Sequence, residues 1–196
     1  MKFLNVGGGS KKHALPGIFK GWDHVLLDID PESDADLVCD ARSLIATVRE
    51  NSFDAVLCSH NLEHYAAHDV PVVLENFVGV LKDTGFVYIQ VPNLTKVFER
   101  MVDGGDLDTV MYNSPAGPIT ALDMLFGHAG IIADSGTDFM MHKTGFTAKT
   151  LGNALYHSGF PHIFVGTQNL ELFAFAFKNK PSEEQMTTLH LKARHE

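Results

Sequence analysis

The sequence is short of cysteine, of positive charge and of long apolar runs. Cys39 and Cys58 are its two cysteines. Both fall in apolar stretches that read as strand ends, so we expect buried free thiols in a reducing compartment, not a disulfide framework. The formal net charge is −9. A chain this acidic repels phosphate backbones, which disfavours nucleic acid as a partner. The first twenty residues do hold four lysines and no acid, a patch read as local electrostatics or plain surface. No apolar run reaches the ~18 residues needed to span a bilayer, and no signal peptide is visible behind Met1-Lys2. A cytoplasmic protein without a membrane partner is the expectation. Repeats and low-complexity segments are also missing. The 196 residues suit one domain with a sizeable core.

The first half of the chain instead shows short apolar runs closed by turn residues. These are Phe3–Val6 before three glycines, His24–Ile29 before Asp30-Pro31, Leu37–Cys39 before Asp40, Phe53–Ser59, and Phe86–Val91 before Pro92-Asn93. Such runs fit buried parallel strands. Between the last two, Asp69 is a candidate N-cap and Pro71 suits a first turn. Val70, Val73, Leu74, Phe77 and Leu81 then keep helical spacing, with Gly85 as the stop. Strands alternating with helices indicate an α/β domain.

Residues 95–145 are rich in Gly, Asp, Met and Pro, with one short helix expected over Ile119–Phe126. A segment of this length reads as an acceptor-facing insertion or lid. Thr147 is a candidate N-cap for a helix carrying Leu151 and Leu155. The runs His162–Gly166 and Glu171–Phe177, joined by Gln168-Asn169, read as an antiparallel hairpin. The whole is expected to be one domain over 1–180, with a polar, fraying tail over 181–196.

Gly7-Gly8-Gly9 follows the first strand and should precede a helix. Glycines there permit positive φ and close approach of a ligand to the backbone. The dinucleotide fingerprint is not met, because position 12 is Lys. Asp28 stands 21 residues after Gly7 at the end of the second strand, where an acid accepts hydrogen bonds from ribose hydroxyls. Asp40 closes the third strand, beside the crevice where α/β ligands bind, and can accept from an adenine amino group. These residues alone do not separate NAD from other adenosine ligands.

The pieces LNVGGGSK, LLDIDP, VCDARSL, FDAVLCSHNLEHY and LKDTGFVYIQVPN, between Leu4 and Leu94, together resemble the core of class I S-adenosylmethionine-dependent methyltransferases, in particular the type 11 branch. The resemblance implies a Rossmann-like, doubly wound, mostly parallel seven-stranded sheet ending in an antiparallel hairpin. It implies S-adenosylmethionine as cofactor, S-adenosylhomocysteine as product, and methyl transfer to a small-molecule or glycan-like acceptor. Gly7, Gly8 and Gly9 would pass under the methionine and ribose. Asp28 would take the ribose hydroxyls, with Ile29 against the adenine. Asp40 and the Ala41 backbone would read the adenine edge, and Ser59 and His60 would lie near the transferable methyl. Asn5 stands where the family often has an acid for the methionine ammonium. The first strand begins almost at Met1, where family members usually carry covering helices, so an open site or one covered by a second subunit of a homo-oligomer is expected.

His142 and His60 are the candidate catalytic side chains, since an imidazole titrating near neutrality can deprotonate an acceptor hydroxyl or amine. His60 and His64 have the i,i+4 spacing of a helical metal pair, but they straddle a strand end and a loop. The family uses Leu-Glu-His without metal, so none is expected. Met124, Met140, Met141, Phe126 and Phe139 read as core more readily than as an acceptor pocket. Two other function classes stay open: a non-catalytic cofactor-binding or interaction protein, and a nucleotide-dependent oxidoreductase.

Overall fold

The computed structural model describes residues 1–115 and 117–191. In chain order the elements are β1 (Lys2–Val6), β2 (Asp23–Asp28), β3 (Leu37–Val38), α1 (Leu44–Thr47), β4 (Phe53–Ser59), α2 (Val70–Val80), β5 (Leu81–Pro92) and α3 (Leu94–Val102). They continue as β6 (Val110–Ser114), β7 (Gly117–Thr120), α4 (Ala121–Phe126), α5 (Ala129–Ser135), α6 (Ala148–His157), β8 (His162–Gln168), β9 (Glu171–Phe177) and α7 (Glu183–Thr188). Seven strands form one sheet in the order β3-β2-β1-β4-β5-β9-β8, and β6 and β7 form a separate hairpin. Strands β1 to β5 pair in parallel; β9 runs antiparallel to β5, and β8 antiparallel to β9. This is the Rossmann-like seven-stranded sheet with its C-terminal hairpin. The hairpin turns on Asn169-Leu170, with Asn169 at φ +52°. Asn tolerates that left-handed conformation better than most residues.

The main core lies on one face of the sheet. Val73, Leu74 and Phe77 of α2 and Leu151 and Leu155 of α6 pack there against Leu4, Val56 and Val87. α6 starts at Thr147, whose side chain forms a capping box with Thr150. α2 starts after Asp69, but Asp69 does not cap it through its side chain. Its carboxylate instead takes the Arg42 guanidinium at 2.9 Å.

The opposite face is covered differently from the expectation. No α-helix follows Gly7-Gly8-Gly9; the β1–β2 connection is a loop with a single 3-10 turn over Gly17–Phe19. Pro16 explains the difference, because it sits where a helix of this short connection would need its central N–H. The loop still buries apolar surface. Phe19 stacks on Phe3 at 4.4 Å between ring centroids, and Trp22 packs edge-on against Phe3 and Phe86. The C-terminal stretch completes this layer and does not fray over 182–191. Ser182 and Gln185 form a capping box at the start of α7, Gln185 Nε2 donates to Thr84 O at 2.7 Å, and Leu189 and Leu191 join the aromatic cluster. The last residues of the expected tail, 192–196, lie outside the described residues.

Two further expectations are corrected. Residues 95–145 hold more secondary structure than one short helix: α3, the β6–β7 hairpin, α4 and α5 all fall there. Cys58 is buried and Cys39 only half-buried; both are free thiols.

Candidate functional site

The parallel strands end together at one edge of the sheet. The strand order reverses between β1 and β4, the switch point at which α/β sheets leave a crevice. A cleft of about 750 Å³ opens there, and Asn5, Gly7, Gly8, Gly9, Asp28, Ile29, Ser59 and His60 all line it. The structure thus gathers eight of the ten residues singled out for the cofactor from three different strand ends.

The glycine loop is held by its neighbours. Gly7 has φ +68°, and a Cβ there would run into the Asn61 side chain, so only glycine fits this turn between β1 and the Asn61 amide. Gly7 N still donates to Leu27 O at 2.8 Å, extending the β1–β2 ladder by one residue. Gly9 N donates to Asp28 Oδ2 at 3.0 Å, and Asp30 N donates to Asp28 Oδ1 at 3.0 Å. Asp28 is therefore a mostly buried carboxylate with one bond on each oxygen. A carboxylate offers about four acceptor positions, so half of its capacity is left toward the cleft. Asn5 is also buried, its Nδ2 3.3 Å from His24 Nε2. Burial, followed by the charge of Lys11, holds His24 below the usual imidazole range, which fits a neutral ring accepting from the amide. Ser59 Oγ donates to Gln90 Oε1 at 3.1 Å.

Asp40 and Ala41 are not part of the cleft. The Asp40 side chain caps the short turn over Ala41–Ser43 by accepting from Arg42 N. It also pairs with the Arg42 guanidinium at 2.6 Å. The sequence position was right for a strand end, but the carboxylate serves its own turn.

A second cavity, of about 550 Å³, adjoins the first. His60, His64, Gln90 and Met140 line both. Its other walls include Glu63, Tyr112, Asp123, Met124, His142 and Glu171. The segment that brings His142 here is tied down by backbone: Lys143 N and Thr144 N both donate to Glu63 O, at 2.8 and 3.1 Å. Of the Met and Phe residues assigned to core, Met124 alone is buried; Phe126, Phe139, Met140 and Met141 are exposed. Met124 and Met140 line the second cavity, and Phe139 lines the first.

His60 sits between two carboxylates. Its Nε2 is 3.0 Å from Glu171 Oε1 and its Nδ1 is 3.4 Å from Glu63 Oε1. Burial pulls the imidazole down, but the bond to Glu171 and the two nearby carboxylates, Glu171 and Glu63, outweigh it and the pKa is pushed up to about 10. The same bond to His60 holds Glu171 below the usual carboxylate range. His142 differs. Its Nδ1 is 3.0 Å from Met124 O, and burial, more than any charge, pushes it below the ordinary imidazole value.

Glu171 and Gln90 are not singled out by the sequence, and Met140 is read there as core. Glu171 is 111 residues from His60. It reaches the site because the antiparallel register pairs it with Pro92, at the C-terminal end of β5. The one sequence signal for it was its place at the start of the last strand.

Residues 4–89 match the family described as methyltransferase domain. That stretch of the chain is similar to a methyltransferase domain. Solved structures with the same fold extend the likeness over nearly all of the chain. An S-adenosylmethionine-dependent methyltransferase from Archaeoglobus fulgidus aligns with TM-score 0.54 and 13% identity, over 89% of this chain and 85% of that one. One from Methanosarcina mazei gives 0.54 and 16%, over 90% and 92%. The CMeT domain of the citrinin polyketide synthase gives 0.59 and 15%, over 92% of this chain and 47% of that one. No curated protein matches the sequence significantly. No helix among the described residues is long and apolar enough to cross a membrane.

Proposed function

We propose that this chain moves a methyl group from S-adenosylmethionine, held in the glycine cleft, to a small-molecule or glycan-like acceptor held in the second cavity. The observation that carries this is the junction: two cavities at the strand ends meet at His60, His64, Gln90 and Met140. A donor and an acceptor bound side by side need that arrangement, because proximity carries much of the barrier reduction.

The residues of the cleft fit the cofactor. Its volume lies within the range of small-molecule sites. Asp28 keeps acceptor positions for ribose hydroxyls, and the partly exposed Ile29 offers an apolar surface to an adenine ring. Asn5, Ser59 and His60 line the same cleft and would border the methionine part. When bound, the cofactor supplies a methyl group already activated by the positive sulfonium. The chain's own work is to orient the acceptor, exclude water and take up a proton where the acceptor carries one. His60 has a carboxylate against each ring nitrogen, so it orients and does not abstract. His64 and His142 line the acceptor cavity with Nε2 bearing the lone pair, because each Nδ1 is bonded to a backbone carbonyl.

Calorimetry with S-adenosylhomocysteine and with NAD tests the cofactor, and transfer of a labelled methyl group across a panel of hydroxyl, amine and sugar acceptors tests the reaction. Binding of S-adenosylhomocysteine and not NAD is expected. Binding of NAD alone would show an oxidoreductase, and tight cofactor binding with no turnover on any acceptor would show a binding protein.

A further inference from the structure

Three metal-ligating side chains converge on the wall of the acceptor cavity. They are Glu63, His64 and His142, and one ligand atom of each lies within 4.8 Å of the others. Two come from the turn after β4 and the third from the segment before α6, 78 residues further along, so the convergence is a product of the fold. The backbone bonds from Lys143 and Thr144 to Glu63 O hold it in place.

We propose that Glu63, His64 and His142 bind one divalent transition-metal cation of the zinc class. The arrangement of hydrogen bonds carries the inference as much as the distances do. His64 Nδ1 lies 3.1 Å from Met141 O and His142 Nδ1 lies 3.0 Å from Met124 O. A ring that donates through Nδ1 to a carbonyl presents Nε2 as a bare lone pair, the outer-shell pattern that orients histidine ligands of metals. The two rings face each other edge to plane, with centroids 5.1 Å apart. Glu63 supplies a second and independent observation. It is 1% exposed, and neither of its carboxylate oxygens has a hydrogen bond among the described residues. The nearest cation is His60, at an ion-pair distance of 3.4 Å from Oε1. A buried carboxylate without hydrogen bonds is costly unless a cation meets it.

Two imidazole nitrogens and one carboxylate suit zinc, cobalt or iron(II) better than magnesium or calcium, which take all-oxygen sets. Ligand atoms around tetrahedral zinc stand about 3.3 Å apart, so the cluster would contract by on the order of 1 Å on loading. Three protein ligands leave at least one position open. All three line the acceptor cavity, so that position belongs to water or to an oxygen or nitrogen of the acceptor. The site accounts for three side chains that cofactor binding does not use, and metal binding itself does not require that methyl transfer be the reaction.

The test uses the full chain, stripped with chelator and titrated with zinc chloride by calorimetry and with cobalt chloride by visible absorption. One equivalent of either metal is expected, with a tetrahedral or five-coordinate cobalt spectrum. His64→Ala and His142→Ala should each weaken binding by at least ~10-fold, while His157→Ala, on the exposed end of α6, should not. His64→Gln and His142→Gln are measured alongside, with far-UV circular dichroism and urea unfolding as the check that each variant is folded. No stoichiometric binding to the wild type, or undiminished binding in folded His64 and His142 variants, overturns the proposal. Metal binding without any binding of S-adenosylhomocysteine would sustain the metal site and sink the methyl-transfer reading.

Discussion

Asp28→Ala separates the two jobs that the structure gives this carboxylate. Its oxygens already accept from Gly9 N and Asp30 N, each at 3.0 Å, and its remaining acceptor positions face the cleft. Truncation therefore removes two charge-assisted bonds inside the protein and the hydrogen bonds expected from the ribose hydroxyls. The two backbone donors sit at the cleft edge where water can reach them, so the loss of stability should be modest, about 1–3 kcal/mol. The loss of cofactor affinity should be of the same order, about 1–3 kcal/mol, which is a factor of about 5–150 in Kd. Asp28→Asn sharpens the measurement. It keeps shape but offers a single oxygen, and its amide would point a donor at one of two backbone donors. Its affinity should fall nearly as far as that of the alanine variant. Calorimetry with S-adenosylhomocysteine, paired with urea unfolding of each apo variant, reads the two effects separately. An affinity within twofold of wild type in a variant that remains folded would refute the ribose role and leave Asp28 as a brace for the loop.

Three other perturbations follow from the same structure. Asp54 accepts from Lys2 N at 2.7 Å and from Lys82 Nζ at 2.8 Å, and although burial pushes its carboxyl up, these bonds hold it below the usual range. A depressed folded pKa stabilises above the unfolded value of about 3.9 and is lost as pH falls through the folded one. Asp54→Asn should thus cost about 1–2 kcal/mol at pH 7, with the gap to wild type closing below about pH 4 in urea titrations. Phe177 is 1% exposed among Phe86 and Phe164; Phe177→Ala should cost about 3–5 kcal/mol by chemical unfolding. Gly127 has φ +89°, and a Cβ there would strike the Met140 carbonyl oxygen. Gly127→Ala should shift the segment carrying Met140 and His142 and lower kcat/KM on the order of 10²-fold, with affinity for S-adenosylhomocysteine little changed.

What the sequence shows and hides divides along sequence distance. The strands were legible because each is a local apolar run with its own turn residues, and the cleft residues sit at fixed offsets from those runs. Phe53–Ser59 was read to the residue, and Thr147 as a cap was plain from its own neighbours. The helix after the glycine loop was expected from the pattern of the fold class, and Pro16 overrode it. Asp40 misled for a different reason. A strand-end acid can serve a ligand or its own turn, and Arg42, two residues on, decides for the turn. The acceptor half was hidden because its members meet across the chain. Nothing in the local sequence of Glu171 points to His60, and nothing near His142 points to Glu63. Only the hairpin register and the bonds from Lys143 and Thr144 bring them together.

The missing helix bears directly on which adenosine ligand the cleft suits. Dinucleotide sites rest the pyrophosphate on a helix N-terminus, where free N–H groups and the helix dipole favour negative charge. Here no helix follows Gly9, and the Gly9 N–H is already spent on Asp28. The charged side chains lining the glycine cleft include Asp28 and Asp30, and Lys11, the nearest lysine in sequence, is held by Asp36 at 2.6 Å. At this end of the cleft a pyrophosphate would meet the Asp28 and Asp30 carboxylates without a helix N-terminus to offset them. A ligand with ribose hydroxyls to donate and a positive sulfonium to place would meet what the cleft offers. The departure from the expected fold therefore favours S-adenosylmethionine over NAD on electrostatic grounds that the glycine motif alone does not supply.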